Sequence, residues 1–356
     1  MTASIMLKPS STACNLKCEY CFYSSVAEKR EQGFKGFMTR ETAEKVINSA
    51  FEFTKGERVY FTFQGGEPLL AGIDFFKFFI DKTKELNKYN SDISICVQTN
   101  GTLINKQWCE LFRENRILVG ISLDGDEELN SYRVYPDGSS SFDNVVHAIA
   151  LLKEYKVQFN VLSVLTKRLA NNIRKSYRFF KQMDIHYLQY IPCLKPFDSE
   201  DNEFSMSNDD YADYLKSAHK IYFNDNMRGC LMSIRQFDNY ALLASGKPAE
   251  QCGMNGPCSN QFVVEGDGSV YPCDFYCTDE WLLGNINECS FDELYHCHKT
   301  VEFIKDSFNM NSDCKNCRYF QLCRGGGCKR NREGYDYCSA YMDFFDSCLN
   351  NIMQMR

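Results

Sequence analysis

The sequence lacks a charged leader running into a long apolar core: it opens MTASIMLKPSSTACNL, and export is not expected. No apolar run approaches the ~20 residues of a membrane span, so a membrane is not an expected partner. No basic stripe is present either. The 40 basic and 47 acidic residues are spread along the 356-residue chain for a net charge of -7, and a nucleic-acid backbone is not an expected partner. With 44% hydrophobic residues the chain can bury a normal core, in one large domain plus a smaller one. The expected compartment is the cytoplasm.

What the sequence has in excess is cysteine. There are 19, three of them in the stretch CNLKCEYC at residues 14 to 21, spaced C-x3-C-x2-C. Disulfides need an oxidising compartment and are dense mainly in much smaller chains. Structural zinc suits C-x2-C pairs, but zinc is four-coordinate and does not require an isolated triplet. Iron-sulfur clusters, held by closely spaced thiolates, fit best.

Residues 1 to 235 alternate two patterns. Apolar, β-branched segments at 5–8, 58–63, 93–98, 116–123, 158–165 and 185–192 read as buried strands. Segments 39–54, 72–89, 105–115, 141–155 and 169–183 have helical spacing, with Phe75, Phe76, Phe79 and Ile80 on one face of the second. Ser141 is placed as an N-cap. Such βα units imply a parallel sheet with right-handed crossovers, curled into a partial (β/α)6 barrel whose site lies at the C-terminal strand ends. The cysteine loop follows the first strand, QGGEP (64–68) the second, QTNG (98–101) the third and SLDG (122–125) the fourth. A glycine after a strand is ordinary turn chemistry, yet all these loops fall on the reactive face of such a barrel. Gly65 and Gly66 would let a backbone approach a ligand closely.

C-x3-C-x-aromatic-C followed by GGEP resembles the radical S-adenosylmethionine enzymes. The resemblance implies that Cys14, Cys18 and Cys21 hold a [4Fe-4S] cluster whose fourth iron stays open for S-adenosylmethionine. It further implies cofactor contacts at Tyr20, Gly65, Gly66, Glu67, Ser122, Arg133 and Leu194, with Tyr20 near the adenine and GGEP near the methionine amino end. For Tyr20 plain core packing stays open, and for Arg133 a surface salt bridge.

From about residue 236 the alternation stops, and 12 of the 19 cysteines lie between Cys252 and Cys348. A second domain, 236–356, is expected to be held by metal more than by a core. It resembles the SPASM domain, which implies two auxiliary [4Fe-4S] clusters, three in all. Cys252, Cys258, Cys273 and Cys328 would hold one; Cys314, Cys317, Cys323 and Cys338 the other. RGGG puts one residue more than the family usually has between Cys323 and Cys328, an excess the glycines can absorb. Cys277 stands four residues past Cys273 as a competing ligand, and Cys273 is favoured by its spacing from Gly268. Cys96, Cys109, Cys193, Cys230, Cys277, Cys289, Cys297 and Cys348 read mostly as small core hydrophobes, and His296-Cys297-His298 as a solvated helix end.

QYIPCLKP (189–196) and YPCDFY (271–276), joined to CNLKCEYCFY, resemble the anaerobic sulfatase-maturating enzymes across nearly the whole chain. That implies oxidation of a cysteine or serine in a C/S-x-P-x-R sequence of an unfolded or nascent sulfatase to Cα-formylglycine. A 5'-deoxyadenosyl radical would take a hydrogen from the target Cβ, Asp274 would accept the thiol or hydroxyl proton, and the auxiliary clusters would take the second electron. A turn-forming role for Asp274 stays open. The resemblance also implies an electron donor such as flavodoxin or ferredoxin, and a monomer is expected. Another peptide-modifying SPASM enzyme would share the cluster motifs but usually brings an N-terminal recognition domain, for which a first cluster cysteine at residue 14 leaves no room. A zinc-binding module without activity is the rival from another class.

Overall fold

Strands form where β-branched and aromatic residues alternate faces, and they are short, as buried parallel strands are. The structure, a computed structural model, describes residues 1–197 and 202–355. Its chain condenses into two compact units, the first made of Met1–Ser122, Arg133–Phe159 and Asn260–Phe303, the second of Leu123–Tyr132, Asn160–Ser259 and Ile304–Arg356.

In the first unit β1 (Ala3–Leu7), β2 (Val59–Phe63), β3 (Ile93–Thr99) and β4 (Leu118–Ser122) are parallel neighbours in that order. The second unit holds β5 (Phe159–Leu165) from Asn160 on, β6 (Tyr187–Pro192) and β7 (Ser233–Ile234), again parallel in sequence order. These are the βα units of the expected partial barrel. The chain then returns to the first unit. There β8 (Phe262–Val264) pairs in parallel with β1, placing Phe262 opposite Ile5, and β9 (Ser269–Tyr271) and β10 (Gly284–Asn285) continue antiparallel. The compact units therefore do not divide at residue 235: β8 gains a strand's hydrogen bonds and three buried side chains by adding to the open edge of β1.

Helix Ile73–Leu86 turns Phe75, Phe76, Phe79 and Ile80 inward, all buried. The Phe63 ring of β2 lies 4.6 Å from Phe76 and 4.9 Å from Phe79, and Phe76 meets Trp108 edge-on at 5.1 Å. Thr39 and Asn105 cap helices Arg40–Thr54 and Lys106–Glu114 by accepting from backbone N–H groups. Ser141 occupies the cap position of helix Phe142–Glu154 but does not cap it; its buried hydroxyl donates instead to the Arg133 carbonyl at 2.7 Å. The segment expected as one helix over 169–183 is two, Lys167–Asn171 and Ile173–Gln182. Asn172 leaves helical geometry at φ -118° and donates its side chain to the Arg168 carbonyl at 2.9 Å, the local competition that makes asparagine a poor helix interior.

In the second unit, helix Asn208–Met227 starts at a capping box of Ser207 and Asp210 and packs against helix Cys338–Gln354, with His219 5.5 Å from Phe344. His296 ends helix Phe291–His296, exposed, as expected. Among the described residues no helix is long and apolar enough to cross a membrane.

Candidate functional site

The loops that follow β1, β2 and β3 are knitted to one another by backbone and side-chain hydrogen bonds. Gly66 N–H donates to Ser11 O at 2.9 Å and Glu67 N–H to Ala13 O at 2.8 Å, so GGEP holds the approach to the cysteine loop. A Cβ on Gly66 would lie 2.0 Å from the Ala13 carbonyl oxygen. The close approach that needs glycine is thus made by the protein's own backbone. The Glu67 carboxylate is fully buried and accepts from Leu69 N–H (3.0 Å), Thr99 Oγ1 (2.7 Å) and Asn100 N–H (2.8 Å), tying the second loop to the third. Burial pushes its pKa up to about 7, against the pull of those donors. Asn100 donates to Asn15 at 2.9 Å and approaches Cys14 Sγ at 3.8 Å.

Cys14 is exposed, Cys18 and Cys21 half-buried, and Cys21 N–H donates to Cys18 O at 3.1 Å. Tyr20 and Arg133 meet: the guanidinium carbon lies 5.4 Å from the ring centroid, and Arg133 is buried, which removes the surface reading. Ser122, at the end of β4, accepts from Gln98 Nε2 at 3.0 Å. Leu194, buried in the second unit, follows the C-terminal end of β6.

Asp274 lies within a buried polar cluster of the first unit. Its Oδ2 accepts from Tyr23 Oη at 2.7 Å and Gln64 Nε2 at 3.1 Å, while the Lys8 ammonium stands 2.9 Å from Oδ1. Lys8 Nζ also lies 4.3 Å from the Tyr23 ring centroid. Burial opposes the charge on Lys8, but Asp274 first, then Cys277 and Glu265, outweigh it and its pKa rises; burial and then Asp274 raise that of Tyr23. Cys277 is buried in the same cluster, its pKa pushed up to about 12 by burial, and its thiol donates to the Cys273 carbonyl at 3.5 Å.

In the second unit Cys314, Cys317, Cys323 and Cys338 line one cavity of about 620 Å³. Among the described residues no three Cys, His, Asp or Glu side chains converge on a point as a single ion requires. The four cysteines thus share the wall of one cavity in the second unit. Cys328 is within electrostatic range of Cys258 and Cys252, and a Cβ on Gly253 would touch Cys328 at 3.0 Å, so these three gather in the second unit. Cys273 belongs to the first unit. Gly325, Gly326 and Gly327 all have positive φ, 91°, 95° and 88°, a conformation that glycine adopts without the strain a side chain would bring. Of the cysteines read as core thiols, Cys109, Cys193, Cys277 and Cys348 are buried, Cys96, Cys289 and Cys297 half-buried, and Cys230 exposed.

The radical SAM superfamily model matches residues 9–179, and an iron-sulfur cluster-binding domain, SPASM, matches 257–318. A cysteine-type anaerobic sulfatase-maturating enzyme of Clostridium novyi is 40% identical over 98% of this chain and 96% of that one. The chain belongs to the anaerobic sulfatase-maturating enzymes. A serine-type member from Bacteroides thetaiotaomicron is 31% identical over 96% of this chain and 88% of its own. The solved structure of native anSMEcpe with bound AdoMet and Cp18Cys peptide superposes with a TM-score of 0.93 at 40% identity, covering 99% of this chain and 98% of that one.

Within this sulfatase-maturating enzyme, reading by motif missed Lys8, Tyr23, Gln64, Arg30 and Glu265. Gln64 and Tyr23 adjoin the quoted motifs QGGEP and CEYCFY, and that adjacency was the available signal. Lys8, Arg30 and Glu265 carry no local signal; only their burial singles them out.

Proposed function

We propose that this maturase converts a cysteine of a sulfatase polypeptide, in a C-x-P-x-R context, to Cα-formylglycine, with Asp274 as the proton acceptor. The observation that carries the role of Asp274 is its hydrogen bonding. Oδ2 accepts from Tyr23 and Gln64, whereas Oδ1 meets the Lys8 ammonium at 2.9 Å in a buried ion pair. Tyr23, Gln64 and Lys8 fix the carboxylate plane, and Oδ1, with one contact against two on Oδ2, keeps a second lone pair that would take the thiol proton. Cysteine is preferred over serine as target because the cysteine-type relative is the more similar, 40% against 31%.

Cys14, Cys18 and Cys21, Cys252, Cys258, Cys273 and Cys328, and Cys314, Cys317, Cys323 and Cys338 would hold three [4Fe-4S] clusters, which with S-adenosylmethionine would supply hydrogen-atom abstraction and electron acceptance. The family resemblance assigns the contacts with S-adenosylmethionine to Tyr20, Gly65, Gly66, Glu67, Ser122, Arg133 and Leu194. The Tyr20 ring, with the Arg133 guanidinium 5.4 Å from its centroid, is the aromatic surface that would suit a purine. Glu67 serves by fixing the loops, since both carboxylate oxygens are engaged internally. The division of labour follows the sequence, with 1–235 as the radical domain and 236–356 as the auxiliary-cluster domain. A monomer in the cytoplasm, reduced by a flavodoxin or ferredoxin, completes the reading; a reducing compartment suits a chain with 19 cysteines.

The test is anaerobic turnover of a short C-x-P-x-R peptide deuterated at the target Cβ. Asp274→Asn keeps size and turn-forming capacity, so deuterium should still enter 5'-deoxyadenosine while formylglycine falls by ~10². Formylglycine at close to the wild-type rate returns Asp274 to turn-forming. Equal turnover of the matched serine peptide overturns the cysteine preference.

A further inference from the structure

Behind Lys8 the polar cluster continues away from Asp274, through two residues to which the reaction gives no task. Glu265 directly follows β8 and is completely buried; Arg30, just past helix Phe22–Glu28, is buried too. Arg30 Nη2 donates to Glu265 Oε1 at 2.8 Å, and Arg30 Nε donates to the Cys277 carbonyl. Lys8 Nζ stands 3.7 Å from that same Glu265 oxygen and 2.9 Å from Asp274 Oδ1. The charges therefore alternate along a line, Arg30, Glu265, Lys8, Asp274, two positive and two negative. Glu265 touches no solvent, which makes an isolated surface pair the wrong description.

We propose that Glu265 and Arg30 are positioning residues that set how Lys8 is shared between two carboxylates, and so where the Asp274 carboxylate stands. The proposal rests on the reading of Asp274 as proton acceptor. Its physics is a balance. Arg30 occupies Glu265, so Glu265 pulls only partly on Lys8, and the ammonium stays closer to Asp274. Without Arg30, Glu265 becomes a buried carboxylate whose nearest cation is Lys8, and it draws the ammonium back from Asp274. Without Glu265, two buried cations share one carboxylate, and Lys8, left with Asp274 as its sole anionic partner in the line, holds Oδ1 undivided, the oxygen needed by the thiol proton. The stem of Lys8 has little freedom to compensate, because the whole side chain is buried in the packed interior. Removing both Glu265 and Arg30 leaves one cation and one anion, Lys8 and Asp274, again balanced.

The experiment compares Glu265→Gln, Arg30→Gln and the double variant as reconstituted, anaerobic enzymes with the C-x-P-x-R peptide. Four quantities are read: iron content, 5'-deoxyadenosine, formylglycine, and the KM for peptide. Each single variant should keep iron, 5'-deoxyadenosine and KM near wild type while formylglycine per 5'-deoxyadenosine falls about tenfold, within the range that misplacing a reacting group produces. The double variant should recover that ratio to within about threefold of wild type, the non-additivity expected of coupled charges. Unchanged ratios in both singles overturn the proposal, as does a double variant no better than the worse single. If a single variant loses its iron, the double decides by the same ratio; a double that loses iron as well marks a folding role and overturns the proposal. Failure of the underlying reading is separable. Asp274→Asn that still makes formylglycine sinks the base assignment itself, whereas uncoupling in Asp274→Asn without uncoupling in the single variants sinks only the positioning role.

Discussion

Gly66 and Cys277 are each defined by what surrounds them, and each yields a residue-scale prediction. Gly66→Ala places a methyl 2.0 Å from a carbonyl oxygen of the cysteine loop, a backbone atom that cannot swing aside. The loop must shift, and the N-terminal cluster should be lost, taking iron from about twelve to about eight per reconstituted chain. Retention of about twelve irons and normal 5'-deoxyadenosine formation would remove Gly66 from the support of that loop. Cys277 is the opposite case. Buried and hydrogen-bonded to the Cys273 carbonyl, it is placed as a neighbour of a ligand. Cys277→Ala should keep about twelve irons and Cys273→Ala should lose some, since only the latter removes a thiolate from a cluster. Iron loss from Cys277→Ala instead would reverse the assignment. The cysteine spacings were legible in the sequence because ligands four and three residues apart are joined by one short loop, whatever the rest of the chain does. The choice between Cys273 and Cys277 rests in the sequence on the spacing from Gly268 alone, and their difference in burial is visible only in the fold.

Elements were read well where one periodicity ruled. The buried faces of β1 and β2 and of helix Ile73–Leu86 follow directly from alternation and from 3.6-residue spacing. The reading departed where a polar side chain had two possible partners. Ser141 turned to the Arg133 carbonyl, and Asn172 to the Arg168 carbonyl, and which acceptor wins depends on the local geometry. Helix Asn208–Met227 carries an element-scale prediction. His219 is buried among Tyr222, Phe237 and Phe344, and burial lowers its pKa from 6.5 to about 4. The unfolded imidazole binds a proton before the folded one does. Its contribution to stability is therefore complete above pH 6.5 and is lost as pH falls towards 4, with about 2 kcal/mol gone by pH 5. Anaerobic urea unfolding at pH 7 and pH 5 should show a smaller loss for His219→Phe than for wild type. Equal losses would place the acid sensitivity elsewhere.

At the scale of the whole molecule the prediction is metal content. Three [4Fe-4S] clusters give about twelve irons, and the Cys14, Cys18 and Cys21 triple alanine variant should keep about eight. A wild-type value near four would remove both auxiliary clusters. The sequence by itself determined how the cysteines are spaced within each loop and where the parallel strands run. These are matters of covalent neighbourhood and local period. Only the tertiary structure decided what surrounds Asp274. Tyr23 lies 251 residues from it along the chain and Gln64 210, yet both bond to the same carboxylate oxygen. That meeting exists because β8 pairs with β1 and brings residues 265 to 277 beside Lys8. A strand can add to any open edge that matches its length and pleat. Which edge it takes is settled by the packing of the complete sheet, and no local pattern in the sequence records it.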